Sequence, residues 1–245
     1  MLCADGRFAV RRQRVVAHSE CLLQLVQACL RDCSVSLSDV GGIACSAGPG
    51  SFTGLRIGMA TAKGLCFALG VPLITVSSLE ALAGIDGLLV QQRPILVVLN
   101  AFRGQLFARL IPSLPGSVDA DATAQLLART PHLAVDAMWQ PTALQQAVQP
   151  LQGRFILRST APLPSYAQPL AALASHLSLD SESDPAPSVQ HSFPSPPLAL
   201  ARLAHARLLA GHGADLFSAV PNYLCGSAPE EAERQRALSN PTPAG

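Results

Sequence analysis

Gly48-Pro49-Gly50-Ser51-Phe52-Thr53-Gly54 puts three glycines and a proline into seven positions directly ahead of a run with helical apolar spacing. Glycine admits backbone angles closed to other residues, and a helix capped by Ser51 or Thr53 turns its unpaired first-turn amides toward the corner. The chemistry this could perform is anion binding, with Gly48, Gly50, Ser51, Thr53 and Gly54 as candidate contacts. The alternative is a tight strand-to-helix connection that binds nothing. A Walker A loop needs Lys and Ser/Thr straight after its last glycine, where Leu55 and Arg56 stand, and the sole lysine, Lys63, lies over two turns further on. Gly-x-Gly-x-x-Gly does not fit either, because the third glycine comes one residue late.

Residues suited to nucleophilic or metal chemistry are scattered. His18-Ser19-Glu20 holds polar types used by hydrolases, and Ser51 sits on a strand-to-helix turn, but the elbow pattern Gly-x-Ser-x-Gly is missing. Ser19 reads as a helix entry and Ser51 as an N-cap. His132, His176, His191, His205 and His212 lack the spacing of metal ligands. Cys21, Cys29 and Cys33 suggest a metal site at first, but Leu22, Val26, Cys29 and Cys33 simply continue an apolar stripe. The 16 acidic residues form no recognisable pair on one face. The expectation is a chain without its own catalytic or metal-binding residues.

The elements that must position the glycine turn follow from periodicity. Ile43 to Ala47 reads as a short buried strand before it, and Leu55, Met59, Ala62, Cys66 and Leu69 give the helix Leu55 to Leu69 one apolar face. Upstream, Arg7 to Ala17 is expected as strand and Ser19 to Cys33 as helix. Downstream come a strand over Pro72 to Val76, a capping box at Ser77-Ser78-Leu79-Glu80, and a hairpin of Ile95 to Leu99 with Gln105 to Leu110 around Gly104. The pattern then weakens until helix Leu198 to Ala210, with Leu200, Leu203, Ala204 and Leu208 on one side. Residues 178–197 are rich in Ser and Pro, with Asp180, Glu182 and Asp184, and are expected as a flexible insertion. The tail from 226 to 245 is expected to fray. Alternating strands and helices predict α/β layers with a mixed sheet.

Composition narrows the function classes. With 245 residues and 49% hydrophobic content, the chain can bury one large core or two modest ones. A net charge of +1 supplies no basic surplus to hold nucleic acid unaided, and Arg7, Arg11, Arg12 and Arg14 read as the solvated face of a strand. Seven cysteines, an odd number, fit a reducing cytosol rather than a disulfide framework. No charged region precedes an apolar signal core, and the most apolar run, Gly64 to Leu79, is broken by Gly70 and Pro72. A cytoplasmic protein without a membrane segment is expected.

The stretch Ala47 to Ala83, with GPGSFTGLRIG and then AKGLCFALGVPLITVSSLEALA, resembles the TsaB family of bacterial tRNA threonylcarbamoyladenosine biosynthesis. Val16 to Leu23 is similar to that family's helix entry, and Pro221-Asn222-Tyr223-Leu224 to its C-terminal Pro-x-Tyr-Leu. The resemblance implies an actin-like, RNase H-like ATPase fold in two lobes with mixed sheets, the first over residues 1–94 and the second over 95–225. It implies an accessory subunit that is not itself an enzyme and that binds and activates TsaD, the catalytic threonylcarbamoyltransferase. TsaE and the threonylcarbamoyl-adenylate synthase complete that pathway, and tRNA is met only through the complex. The implied docking face uses the two helices, with His18, Leu22, Leu55, Ile57, Ala60, Thr61, Gly64 and Ala68 as its residues, and the same face can self-pair into a homodimer when TsaD is absent. No cofactor of its own is implied; ATP or ADP at the partner interface is. The alternatives are an active actin-like ATPase or sugar kinase, and a peptidase of the glycoprotease superfamily.

Departures from the family pattern are as specific. Such chains open with a strand ending in Asp-Thr-Ser and then a second strand, whereas Met1 to Gly6 reads as the end of that second strand and its turn. An N-terminally truncated chain or a misassigned start is the expectation. Asn100, Phe102 and Gln105 stand where the family carries charge, and Cys225 where an Arg follows Pro-x-Tyr-Leu.

Overall fold

The computed structural model describes residues 1–5, 7–11, 18–84, 93–101, 104–117, 119–159, 163–179 and 196–224. For His18 to Glu20 and His176 to Leu179 it describes the backbone alone. The described residues build a mixed α/β fold with two sheets.

The smaller sheet pairs β1 (Ile43–Gly48) with β2 (Leu73–Ser77) in parallel, Ile43 opposite Leu73 and Ser46 opposite Val76. A parallel pair needs a crossover, supplied by α2 (Phe52–Leu69), which starts three residues earlier than the apolar spacing alone indicates. α1 (His18–Asp32) lies beside α2. The larger sheet has the order β5-β4-β3-β6-β7. β3 (Ile95–Asn100) and β4 (Leu106–Ile111) form the expected antiparallel hairpin, with Gly104 at φ +75°. β6 (Ile156–Ser159) and β7 (His176–Leu179) add in parallel, and β5 (Ala137–Trp139) pairs antiparallel to β4. Helices α4 (Ala120–Arg129), α5 (Pro141–Val148) and α6 (Gln168–Leu173) connect these strands.

Strand alternation decides the layers. Leu96 and Val98 of β3 point into a core shared with Leu126, Leu144, Val148 and Leu170 of α4 to α6. Ile95 and Val97 point the other way, onto Leu79, Leu82 and Ala83 of α3 (Ser78–Ala83) and Ala199 of α7 (Pro196–Leu209). α3 and α7 turn their opposite sides to β2, where Ile74 and Val76 meet Ala81 and Ala204. Leu73 faces outward again to Met59, Ala62 and Cys66 of α2. The helix pair α3/α7 is therefore shared filling between two sheets, each covered outside by its own helices.

Three expectations change. Residues 7–11 form no strand: a single antiparallel bridge pairs Leu2 with Phe8, the Cys3 amide donating to the Arg7 carbonyl and the Ala9 amide to the Met1 carbonyl, and the described residues offer no further strand to extend it; residues 12–17 lie outside the described residues. The margins of the supposed insertion are regular, Ser178 and Leu179 in β7 held by β6, and Pro196 and Pro197 opening α7; residues 180–195, like the tail from 225, lie outside the described residues. The capping box at Ser77 is half built. Ser77 Oγ accepts from the amides of Leu79 and Glu80, while the Glu80 carboxylate turns instead to Arg207 of α7 at 2.8 Å and Arg109 of β4 at 3.3 Å. Among the described residues no helix is long and apolar enough to cross a membrane.

Candidate functional site

β1 ends at Gly48 with φ +102°, and the next peptide, to Pro49, is cis. A Cβ on Gly48 would lie 2.9 Å from Leu55 Cδ1 and 3.0 Å from the Asn222 carbonyl oxygen, so both the angle and the space require glycine. Ser51 caps α2 as expected, its Oγ accepting from the Gly54 amide at 3.3 Å. The five turn residues do not converge on one point. Gly48 is buried beneath Leu55 and Asn222, Ser51 spends its hydroxyl on the cap, Gly50 and Thr53 are exposed, and Gly54 faces α1. The helix start is also occupied by side chains: the Arg56 guanidinium lies 4.3 Å above the Phe52 ring, Phe52 stacks on Tyr223 at 4.8 Å, and Arg56 Nε donates to Tyr223 Oη at 3.2 Å.

α2 has four distinct flanks. Leu55, Met59, Ala62 and Cys66 face the core, and Leu55, only 9% exposed, supports the Gly48 turn instead of meeting solvent. Thr61, with Leu22 of α1, lines a cleft of about 280 Å³ between α1, β1 and α2. Phe52, Arg56 and Lys63 face the segment from Ala214 to Leu224. The flank opposite the core carries Ala60, Gly64 and Ala68, all exposed, with Ile57 half-buried beside them. A Cβ on Gly64 would meet nothing within 4 Å. The structure thus brings Ile57, Ala60, Gly64 and Ala68 together on one outward stripe, places Leu22 and Thr61 in the adjoining cleft, and puts Leu55 inside. For His18, only its place at the start of α1 is described.

Small residues at i, i+4 and i+8 let a second helix approach closely, since the backbone itself becomes the contact. Burial, with Cys66 nearby, pushes the Cys45 thiol up to about 11. Burial also raises the Cys33 thiol to about 11, helped by a hydrogen bond with Cys3. Sequence reasoning missed the contribution of the C-terminal segment. Its link to α2 runs between Lys63 and the carbonyls of Phe217 and Ala219, a pairing with no local signature.

Residues 13–168, more than half of the chain, match the family described as TsaD: tRNA N6-adenosine threonylcarbamoyltransferase. The chain is 39% identical over 97 residues to the tRNA threonylcarbamoyladenosine biosynthesis protein TsaB of Bacillus subtilis, covering 38% of this chain and 40% of that one. It is 42% identical over 66 residues to the TsaB protein of Escherichia coli, covering 27% and 29%. The chain thus spans less than half the length of these curated relatives. Its fold is shared with a Pseudomonas aeruginosa protein described as uncharacterized with similarity to peptidase YEAZ, at a TM-score of 0.59, 22% identity, and coverage of 86% of this chain and 85% of that one. The glycine turn, the helix that follows it and the matched residues agree: the chain belongs to the TsaD, tRNA N6-adenosine threonylcarbamoyltransferase, family, among its TsaB proteins.

Proposed function

We propose that this chain is a non-catalytic dimerisation subunit for tRNA threonylcarbamoyladenosine synthesis, which binds and activates a TsaD threonylcarbamoyltransferase in the cytoplasm. The observation that carries this is the outward stripe Ala60, Gly64, Ala68 on α2, uncovered by any described part of the chain and open at the Gly64 Cβ position. The face of a surface helix opposite its apolar stripe is normally polar or charged; this stripe is neither, and it faces away from a complete core stripe. In this reading the fold is the actin-like, RNase H-like ATPase fold, its lobes divided as residues 1–94 and 95–225. TsaD carries the transfer to tRNA adenosine, TsaE joins the assembly, and ATP or ADP enters at the partner interface. Without TsaD the same face pairs with a second copy.

The test is to mix the purified chain with the TsaD protein of the same organism and follow it by size-exclusion chromatography with light scattering, then assay threonylcarbamoyl transfer with and without the chain. A one-to-one complex and faster transfer are expected. Separate elution at tens of micromolar, with transfer unchanged, would overturn the proposal.

A further inference from the structure

After α7 the chain crosses back over the smaller sheet and runs along α2. The Ala214 amide donates to the Leu73 carbonyl at 2.8 Å, and Leu216 and Ala219 pack into the core beneath α2. Lys63 Nζ then donates to two carbonyls in succession, Phe217 at 3.1 Å and Ala219 at 3.0 Å. Further on, the Asn222 amide reaches the Ala47 carbonyl at 2.6 Å, and Tyr223 lies on Phe52 and Arg56 at the start of α2. Contacts that go from Lys63 to Phe52 as the segment advances make it antiparallel to α2.

The segment is held mostly by its backbone, and it leaves large apolar side chains outside. Phe217 is 79% exposed and Val220 71% exposed; Phe67, one turn beyond Lys63 on the same side of α2, is 73% exposed. Phe67 directly precedes Ala68 and Lys63 directly precedes Gly64 on α2, so Phe67 and the strap that Lys63 holds flank one edge of the Ala60, Gly64, Ala68 stripe. Clustered exposed apolar groups of this kind mark an interaction site. An ammonium with three donors is suited to gathering adjacent carbonyls, and Lys63 is the only lysine in the chain.

We propose that residues 214–224 form a strap that Lys63 latches to α2, and that the strap adds Phe217 and Val220 as one wall of the surface that receives a helix of the TsaD partner. Lys63 is then a positioning residue, acting on the interface through the strap. The occupant follows from position: the strap and Phe67 flank one edge of the small-residue stripe, and the exposed Phe217 and Val220 extend the face assigned above. The docking half rests on that assignment; the latch does not.

Hydrogen exchange on the full chain separates the two. Lys63→Met keeps the aliphatic stem and removes the ammonium. Exchange in peptides spanning 216–224 should quicken at least tenfold, and affinity for TsaD should fall at least tenfold, with Lys63→Arg restoring most of both. Phe217→Ser should weaken TsaD binding while leaving strap exchange unchanged. Unchanged strap exchange in Lys63→Met would overturn the latch. A freed strap with full TsaD affinity, or full affinity in Phe217→Ser, would overturn the docking half. If the unaltered chain does not bind TsaD at all, the function proposed above fails and the docking half with it, while exchange still decides the latch.

Discussion

Gly64→Arg should do two opposite things, and the structure gives the size of each. Gly64 lies inside α2, on the outward stripe, and a Cβ there would have nothing within 4 Å. The folded monomer therefore has room for a side chain. Glycine costs roughly 0.8–1.0 kcal/mol against alanine in a helix interior, and arginine is close to alanine, so the variant monomer should gain about 0.7 kcal/mol. For a chain of this size that is a rise in melting temperature of about 2 °C. At the partner face the same change sets a long charged side chain where a helix must approach to within about 8–10 Å axis to axis. Steric exclusion and an unpaired buried charge together should weaken TsaD binding more than about 100-fold, or about 2.7 kcal/mol.

Scanning calorimetry at a concentration low enough to dissociate the self-pair, so that monomers are compared, and titration of TsaD supply the two numbers, with Gly64→Ala as the control that keeps the stripe small. The expected signature is a more stable monomer that no longer assembles. Binding within about threefold of the unaltered chain would refute the outward stripe as the docking face. A monomer destabilised by more than about 1 kcal/mol would refute the open site itself.

Glu80→Gln should lower stability by about 1–2 kcal/mol in chemical denaturation, because it weakens charge-assisted bonds to Arg207 and Arg109 that tie α3 to α7 and β4; no change would mean that the ties are screened as at an open surface. Cys45, with its thiol pushed up to about 11, should alkylate at pH 8 at least 100-fold more slowly in the native chain than after unfolding, as mass spectrometry of its peptide would report; equal rates would contradict the raised thiol. The Asp215 carboxyl is held below its usual range by the Ser218 hydroxyl and by the amides of Phe217 and Ser218, with Lys63 adding attraction. Its contribution is whole above the unfolded pKa of about 3.9 and is lost as pH falls through the lower folded value. Strap protection, taken relative to unfolded-chain exchange at each pH, should therefore fall in that acid range, and Asp215→Asn should flatten the fall; an identical profile in the variant would remove Asp215 as its cause.

The glycine turn, α2 and the β3–β4 hairpin were legible because their signals are local: a glycine at a positive φ, a serine cap, an apolar stripe, two strands about one turn. The region from Ala120 to Leu179 was not. Its strands are three to four residues long, α5 opens on Pro141 and α6 carries Pro169 in its first turn, and β6 carries Arg158, 2% exposed, where a buried strand is expected to be apolar. Glu80 shows how a correct local pattern can mislead: the cap spacing is present, but two arginines distant in sequence compete for the carboxylate. At the candidate site, periodicity gave the helix Leu55 to Leu69 one apolar face, and the family resemblance named the docking residues. Only the fold could say that Leu55 turns inward, that Thr61 and Leu22 share a cleft, and that Gly64 looks out.

The single tryptophan, Trp139, sits in β5 and packs on the core outside the larger sheet. Of the two tyrosines, Tyr223 lies on the strap at the start of α2 and Tyr166 bonds to Asn100 at the end of β3. The indole thus has its nearest surroundings across the larger sheet from α2 and the strap. A denaturation curve followed by its emission registers the five-stranded layer and passes over the loss of β1, α2 or the strap. Two such curves that coincide, one for a variant that assembles and one for a variant that does not, would say little about whether the assembling half is intact.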